Sequence, residues 1–421
     1  MKVSVNKRQE KIALKKSLSL SIKDGVSFAA TTGFGDNYIN PFAVALGATN
    51  VQIGLLSAIT QFIPALMQLK VADITERFGS RKKIVVRAVF SQASMLFPIA
   101  FIPYLPKSGH ISALICCCTL YLLFASLAAP AWGSLIANLV PKRRMGAFFS
   151  KRSRIVGLVT LSATFLAGYL LHVLNKQSRI GFTIIFLLAM VSRYTSCYFL
   201  SKIYEPPLEV KREHYFSFME FIQRINIGNF GKYVIFQSAF SFAVYLASPF
   251  FAVFMLRDMS FSYLTYTIII TVVPLSSILS MSYWGRRADT IGNRQIITIC
   301  SIVISFLPAL WLVSRHVYFL IGIQIVSGFF WGGFNLCTSN FIYESVIPEK
   351  RTRCISYFNA INGSAICTGT LLGGFLATHV PPVWGYHLLT LFAISSFLRI
   401  IVSATLLRRV KEIRKTAIRP A

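Results

Sequence analysis

Twelve long apolar runs, separated by short polar stretches, leave this chain few folds to choose from. They lie at about 25–46, 51–72, 84–105, 111–137, 155–175, 180–203, 231–256, 261–283, 295–314, 317–343, 355–379 and 384–407. Most reach the roughly 20 residues that a helix needs to cross about 30 Å of hydrocarbon. Only 14% of the 421 residues are charged, where a soluble chain would carry about a quarter. Mean hydropathy is +0.61. Together these values exclude an ordinary soluble enzyme, a disordered chain and a secreted disulfide scaffold, and leave a membrane protein of many spans.

The formal charge of +29 would suit a nucleic-acid partner only if the basic residues gathered on a soluble face. They gather in short loops instead, so no nucleic-acid partner is expected. Twelve spans put both termini on one side. The tails and loops of that side hold all but nine of the 43 Lys and Arg. The opposite side has Lys107, Lys176, Arg179, Arg257 and Arg315, while Lys23, Arg87, Arg193 and Arg399 lie within or at the edges of runs. By the positive-inside rule both termini are cytoplasmic, and the chain is expected in the cytoplasmic (inner) membrane. Its basic loops should attract anionic lipid. The eight Cys residues show no metal or redox spacing. Cys116, Cys117 and Cys118 are consecutive, so they cannot share one helix face, and they read as buried apolar thiols. No metal or cofactor is expected. No small-residue cleavage site closes a short apolar stretch, so the first span is expected to stay in the membrane.

The stretch from Tyr204 to Lys232 interrupts the hydropathy, with Pro206, Pro207 and charges of both signs. Six runs precede it and six follow. The expected organisation is a six-helix bundle over 1–203, a cytoplasmic linker over 204–230 and a second six-helix bundle over 231–421. Residues 215–226 could form an amphipathic surface helix within the linker. The halves echo each other. Residues 72–81 after run 2 align with 285–294 after run 8: Ala72 with Gly285, Glu76 with Asp289, Gly79 with Gly292, Arg81 with Arg294. Pro141 and Arg144 align with Pro348 and Arg351, and Arg193 in run 6 aligns with Arg399 in run 12.

With twelve spans, a central linker and a doubled loop motif, the chain resembles the major facilitator superfamily of secondary transporters. That family's loop signature is Gly-x-x-x-Asp-Arg-x-Gly-Arg-Arg/Lys between helices 2 and 3, with a degenerate copy between helices 8 and 9. Here the second copy is the better one, because the first has Ala72 for Gly and Glu76 for Asp. The resemblance implies an all-α membrane protein of twelve transmembrane helices in two pseudo-symmetric six-helix bundles. It implies that Glu76 makes a cytoplasmic gate contact, with Gly79, Arg81, Gly285, Asp289, Gly292 and Arg294 as the rest of the gating loops. The plainer reading is a pair of solvated turns that enforce topology. It further implies that helices 1, 4, 7 and 10 line a central cavity.

Polar residues inside the runs bear on that cavity. A charge at the centre of a membrane helix costs at least about 2.5–3.5 kcal/mol, so it is usually paired or functional. Asp36 lies deep in the first run, flanked by Gly33, Gly35 and Pro41, and shares a face with Thr32 and Asn40 at steps of four. Burial disfavours a charged carboxylate, which suits a group that takes up and releases a proton. Asp36 is therefore a candidate for proton coupling or for binding a cationic substrate, or else a structural carboxylate paired to an Arg. Run 7 carries Gln237, Ser241, Tyr245 and Ser248 at helical spacing. Run 10 carries Gln324, Ser327, Trp331, Asn335 and Thr338, and run 4 carries Tyr121, Phe124, Ala128 and Trp132. These faces could line a cavity or could be interhelical hydrogen-bond glue. Arg193 and Arg399 read as structural, pairing within each bundle, with anion binding as the alternative. Glu344 could bridge to Arg351 or Arg353.

Run 5 lacks the Gly-Pro-x-x-Gly-Gly mark of many proton-driven exporters. Residues 369–374 in run 11 resemble it, with Thr370 in place of Pro, and suit close helix packing. Aromatic faces with one acid hint at amphipathic or weakly cationic compounds. The expected function is secondary active transport of a small organic solute by alternating access, proton-coupled, with efflux as one reading of its direction. The alternatives are an uptake or facilitated-diffusion permease and a non-transporting sensor or assembly protein. No nucleophile–base pair or phosphate-binding loop points to an enzyme or a nucleotide-driven pump. Expected partners are the solute, protons and the lipid bilayer.

Overall fold

A computed structural model of the chain describes residues 2–78, 80–140, 145–174, 178–205, 217–346 and 350–412. It is all-helical, with no strand among the described residues beyond an isolated bridge between Val383 and Tyr386. The helices are α1 (Lys2–Phe34), α2 (Ile39–Ala45), α3 (Asn50–Phe78), α4 (Arg81–Phe101), α5 (His110–Leu139), α6 (Met145–Val173), α7 (Ser178–Ser201) and α8 (Phe218–Gln223). They continue with α9 (Asn229–Tyr245), α10 (Phe250–Val253), α11 (Tyr263–Ile291), α12 (Asn293–Leu310), α13 (Val317–Ser345), α14 (Arg351–His379) and α15 (His387–Thr405). Eleven helical segments among the described residues are long and apolar enough to cross a membrane. The first expected span, made by α1 and α2, is broken.

That break has a local cause. α1 stops at Phe34, a 3-10 turn covers Asp36–Tyr38, and α2 resumes at Ile39. Pro41 has no N–H to donate, which suits the first turn of a new helix. The seventh span is interrupted at the corresponding place. α9 ends at Tyr245, Pro249 precedes α10, and a π-turn follows over Phe254–Asp258. Within the linker, the described residues include the short helix α8. Ser217 and Glu220 close a capping box at its start, and Phe218 and Phe221 pack on Tyr357.

The chain forms two compact units, residues 1–46 with 70–211 and residues 47–69 with 212–421. In the first, α1 packs on α6 and α7, and α4 on α5 and α7. In the second, α9 packs on α14 and α15, and α12 on α13 and α15. These pairings correspond under the sequence repeat. Lipid gives helices no hydrophobic reason to associate, so close van der Waals packing must hold them. Gly33 of α1 leaves no room for a Cβ against Ala163 and Thr160 of α6, and Gly369 and Gly373 of α14 lie against the α9 backbone. The run at 369–374 thus serves helix packing. α3 and α11 are repeat mates with different settings. α11 packs on α13, whereas the part of α3 up to Leu69 belongs to the second unit. There Gly54 meets Thr370 and Gly374 of α14, and Gln68 accepts from Asn359 Nδ2 at 2.6 Å.

Candidate functional site

The break in the first span sets Asp36 at the start of a 3-10 turn, half-buried within the first unit. Thr32 Oγ1 donates to Asp36 Oδ2 at 3.1 Å, and the buried Tyr121 of α5 donates its hydroxyl to Oδ1 at 2.7 Å. Among the described residues no Lys or Arg lies within ion-pair distance of Asp36. The turn is anchored beside it: Asn37 Nδ2 donates to Thr164 Oγ1 at 2.8 Å, and Tyr38 donates to the Thr164 carbonyl at 2.7 Å. Thr32 and Asp36 therefore share a face and a bond. Asn40 lies past the break on α2, half-buried, so one continuous helix does not carry all three.

A second buried carboxylate lies three turns earlier on α1. Asp24 is 3% exposed. Its Oδ1 accepts from Ser196 Oγ at 2.7 Å, and its Oδ2 pairs with Arg152 Nη2 at 3.4 Å. Arg152 also donates Nε to the Ser21 carbonyl and stacks on Trp132, 4.4 Å from ring to guanidinium. Arg193, 6% exposed, donates Nε and Nη2 to Gln92 Oε1 at 2.9 and 2.7 Å and Nη1 to Ser196 Oγ at 3.0 Å, over the ring of Phe28. It interacts electrostatically with both Asp24 and Asp36. Asp24 has an Arg partner, whereas Asp36 is bonded by hydroxyls. Arg193 bonds to Gln92 and Ser196, and it does not pair directly with a carboxylate.

Arg399, 4% exposed, bonds to Ser395 Oγ and to the carbonyls of Ile304 and Val244. Ile304 is four residues before Pro308, whose missing N–H leaves that carbonyl without its helical donor. Arg399 therefore repairs a proline break. The other expected cavity residues of the second unit sit on two helices. On α9, Gln237 is half-buried and accepts from the Tyr233 hydroxyl, and Tyr245 ends the helix. On α13, Gln324 and Trp331 are half-buried and Asn335 is exposed, with Trp331 packed on Phe240 and Phe334. Glu344 accepts from Asn293 Nδ2 at 3.0 Å.

The loop motifs are partly legible. Gly79, Pro141, Arg144 and Pro348 lie outside the described residues, as do the side chains of Glu76 and Arg351. Arg81 is 1% exposed and reaches Ser134 Oγ at 3.2 Å. Glu205 accepts from Ser80 Oγ and from the Lys82 backbone N–H, at the start of α4. At the matching start of α12, Glu412 accepts from the Arg294 N–H at 2.8 Å. Gly292, at φ 89°, leaves the space that the Glu412 carboxylate occupies. A carboxylate after the last span of each half thus meets the positive end of a helix. Gly285 lies near Leu336, and Asp289 is within α11.

Asp24, Arg152 and Gln92 were not singled out in the sequence. Asp24 falls one residue before the apolar run, and Arg152 sits in a basic loop that reads as topology. A signal existed, since Asp24, Phe28, Thr32 and Asp36 step by four along the sequence.

A model of the Major Facilitator Superfamily matches residues 26–225 and 233–421. The "Multi-drug resistance efflux pump PmrA homolog" of Lactococcus lactis subsp. lactis is 24% identical over 368 residues, 85% of this chain and 86% of that protein. "Efflux pump azaK" of Aspergillus niger is 28% identical over 109 residues, which are 26% of this chain and only 23% of that pump's length. A variant of the nucleoside transporter NupG has the same fold, with a TM-score of 0.75 at 13% identity over 94% of this chain and 100% of that one. So does the inward-open xylose transporter XylE from E. coli, at 0.69 and 12% over 96% and 97%.

Proposed function

The chain belongs to the Major Facilitator Superfamily, a family of transporters, and we propose that it is a proton-coupled secondary active transporter that exports a small organic solute. A site near the membrane mid-plane would open to each side in turn. Export is the direction named for the two relatives. The observation that carries proton coupling is the Asp36 carboxyl, bonded by two hydroxyls and by no cation among the described residues. A hydroxyl can donate to a carboxylate and can turn to accept from a carboxylic acid. Arginine can only donate. Thr32 and Tyr121 can therefore follow Asp36 through both of its proton states, as Arg152 cannot for Asp24.

In this reading Trp132, Asn40, Gln237, Tyr245, Gln324, Trp331 and Asn335 contribute to the solute path. The 72–81 and 285–294 loops gate it, and Glu76→Gln should alter the inward/outward ratio measured by cysteine accessibility. The chain lies in the cytoplasmic membrane with both termini inside, its basic loops on anionic lipid.

The test is flux of a compound panel in proteoliposomes, with and without a pH gradient. Asp36→Asn should cut gradient-driven flux by roughly a hundredfold, the order seen when a proton-transferring group is removed. Equal flux in wild type and variant would leave Asp36 a structural residue.

A further inference from the structure

Proton coupling at Asp36 gives no task to a cavity of about 280 Å³ in the first unit, lined by Asp24, Arg152, Arg193, Phe28 and Trp132 among others. It lies where α4 begins and α7 ends, since Val85 and Leu200 also border it.

Among the residues that line it, the charges do not cancel. Two guanidiniums face one carboxylate. Asp24 is already engaged by Ser196 and Arg152. The hydrogen bonds of Arg152 use Nε and Nη2, which leaves Nη1 uncommitted. Those of Arg193 use one proton on each nitrogen, which leaves a proton on Nη1 and another on Nη2. Each guanidinium is backed on one face by an aromatic ring, Trp132 at 4.4 Å and Phe28 at 4.7 Å. A ring-backed guanidinium has its edge donors fixed in plane, an arrangement suited to an oxyanion. The Trp132 N–H is buried and interacts with Asp24 without closing a hydrogen bond of normal geometry. The rest of the wall is apolar, including Val89, Ala125 and Ala128.

We infer that this cavity binds a small amphipathic organic anion. Its carboxylate lies against Arg152 and Arg193, its apolar body against the aliphatic wall, and Asp24 is the internal counter-ion it competes with. A volume near 280 Å³ limits the ligand to the small end of the range for organic ligands. The inference assumes the transporter reading only for the role of the ligand, as solute or as regulator. It departs from the cationic hint in the sequence because that hint counted one acid and neither arginine.

The experiment is calorimetric titration of the purified full chain with 3-phenylpropanoate, its amide and 3-phenylpropylamine. The carboxylate should bind, the amide and amine should not compete, and Arg152→Gln and Arg193→Gln should each weaken binding at least tenfold. Asp24→Asn keeps the cavity's size and removes the competitor, so it should tighten binding. Each variant is first checked for an unchanged elution profile, and Arg152→Lys is the substitute if Arg152→Gln fails to fold. No binding at millimolar carboxylate overturns the inference, as does equal binding of the amine or an unchanged affinity in both Arg variants. If the carboxylate fails to bind while other compounds show gradient-driven flux, the cavity assignment falls and the transporter reading stands. If it binds while nothing is moved, the reverse holds.

Discussion

Arg193 and Arg399 occupy matched places in the two halves, and both are buried, yet they do different work. Arg193 sits among side chains: Gln92, Ser196 and, through Ser196, the Asp24–Arg152 pair. Arg399 sits among backbone carbonyls and one serine, where it satisfies the carbonyl freed by Pro308. The first half carries Asp24 and Asp36 in or beside its first apolar run, while in the second half the acids Asp258, Asp289, Glu344 and Glu412 lie near or beyond helix ends. The matched cation has divided surroundings, a network of side chains in one half and backbone repair in the other.

The sharpest way to break this comparison is to remove both cations without their volume. Arg193→Met should lower stability by about 3–5 kcal/mol, as expected when a buried charge network loses one partner. Arg399→Met should cost about 1–3 kcal/mol, the scale of an orphaned buried carbonyl. Adding Asp24→Asn should restore part of the Arg193→Met loss, measured by thermal unfolding in detergent. Equal losses with no rescue would mean that both arginines are structural in the same way.

Packing gives a smaller effect. A Cβ added at Gly33 would stand 2.8 Å from the Thr160 carbonyl oxygen, whereas one at Gly322 meets nothing within 4 Å. Gly33→Ala should cost roughly 1–3 kcal/mol by overpacking and shift the α1 break that presents Asp36. Gly322→Ala should leave the melting temperature unchanged or slightly raised. A silent Gly33→Ala would show that the α1–α6 seam can relax.

The smallest effect tests a feature that the halves share. Glu205→Gln and Glu412→Gln should each cost about 0.3–1 kcal/mol, the worth of a carboxylate at a helix start. The losses should shrink at high salt, as screening requires. Losses unequal by more than that range would mean that only one clasp serves the fold.

The pairing of the two loop motifs was legible in the sequence because glycine and arginine spacing marks a turn wherever it occurs. The glutamates that complete it were not, because each lies over a hundred residues from the helix start it meets. Asp36 was legible because a carboxyl deep in an apolar run is costly by itself. Asp24 was hidden, because a charge at the edge of a run looks like the loop.

The sequence by itself determined the spans, the duplication and the family. Each follows from length, hydropathy and spacing along the chain, which short-range physics enforces residue by residue. Only the tertiary structure decided where α1 breaks, which carboxylate meets an arginine, and that α3 packs with the second unit up to Leu69. Those outcomes depend on partners brought together from distant helices. In a medium that rewards every apolar surface alike, the choice among partners rests on close packing and on polar groups finding one another.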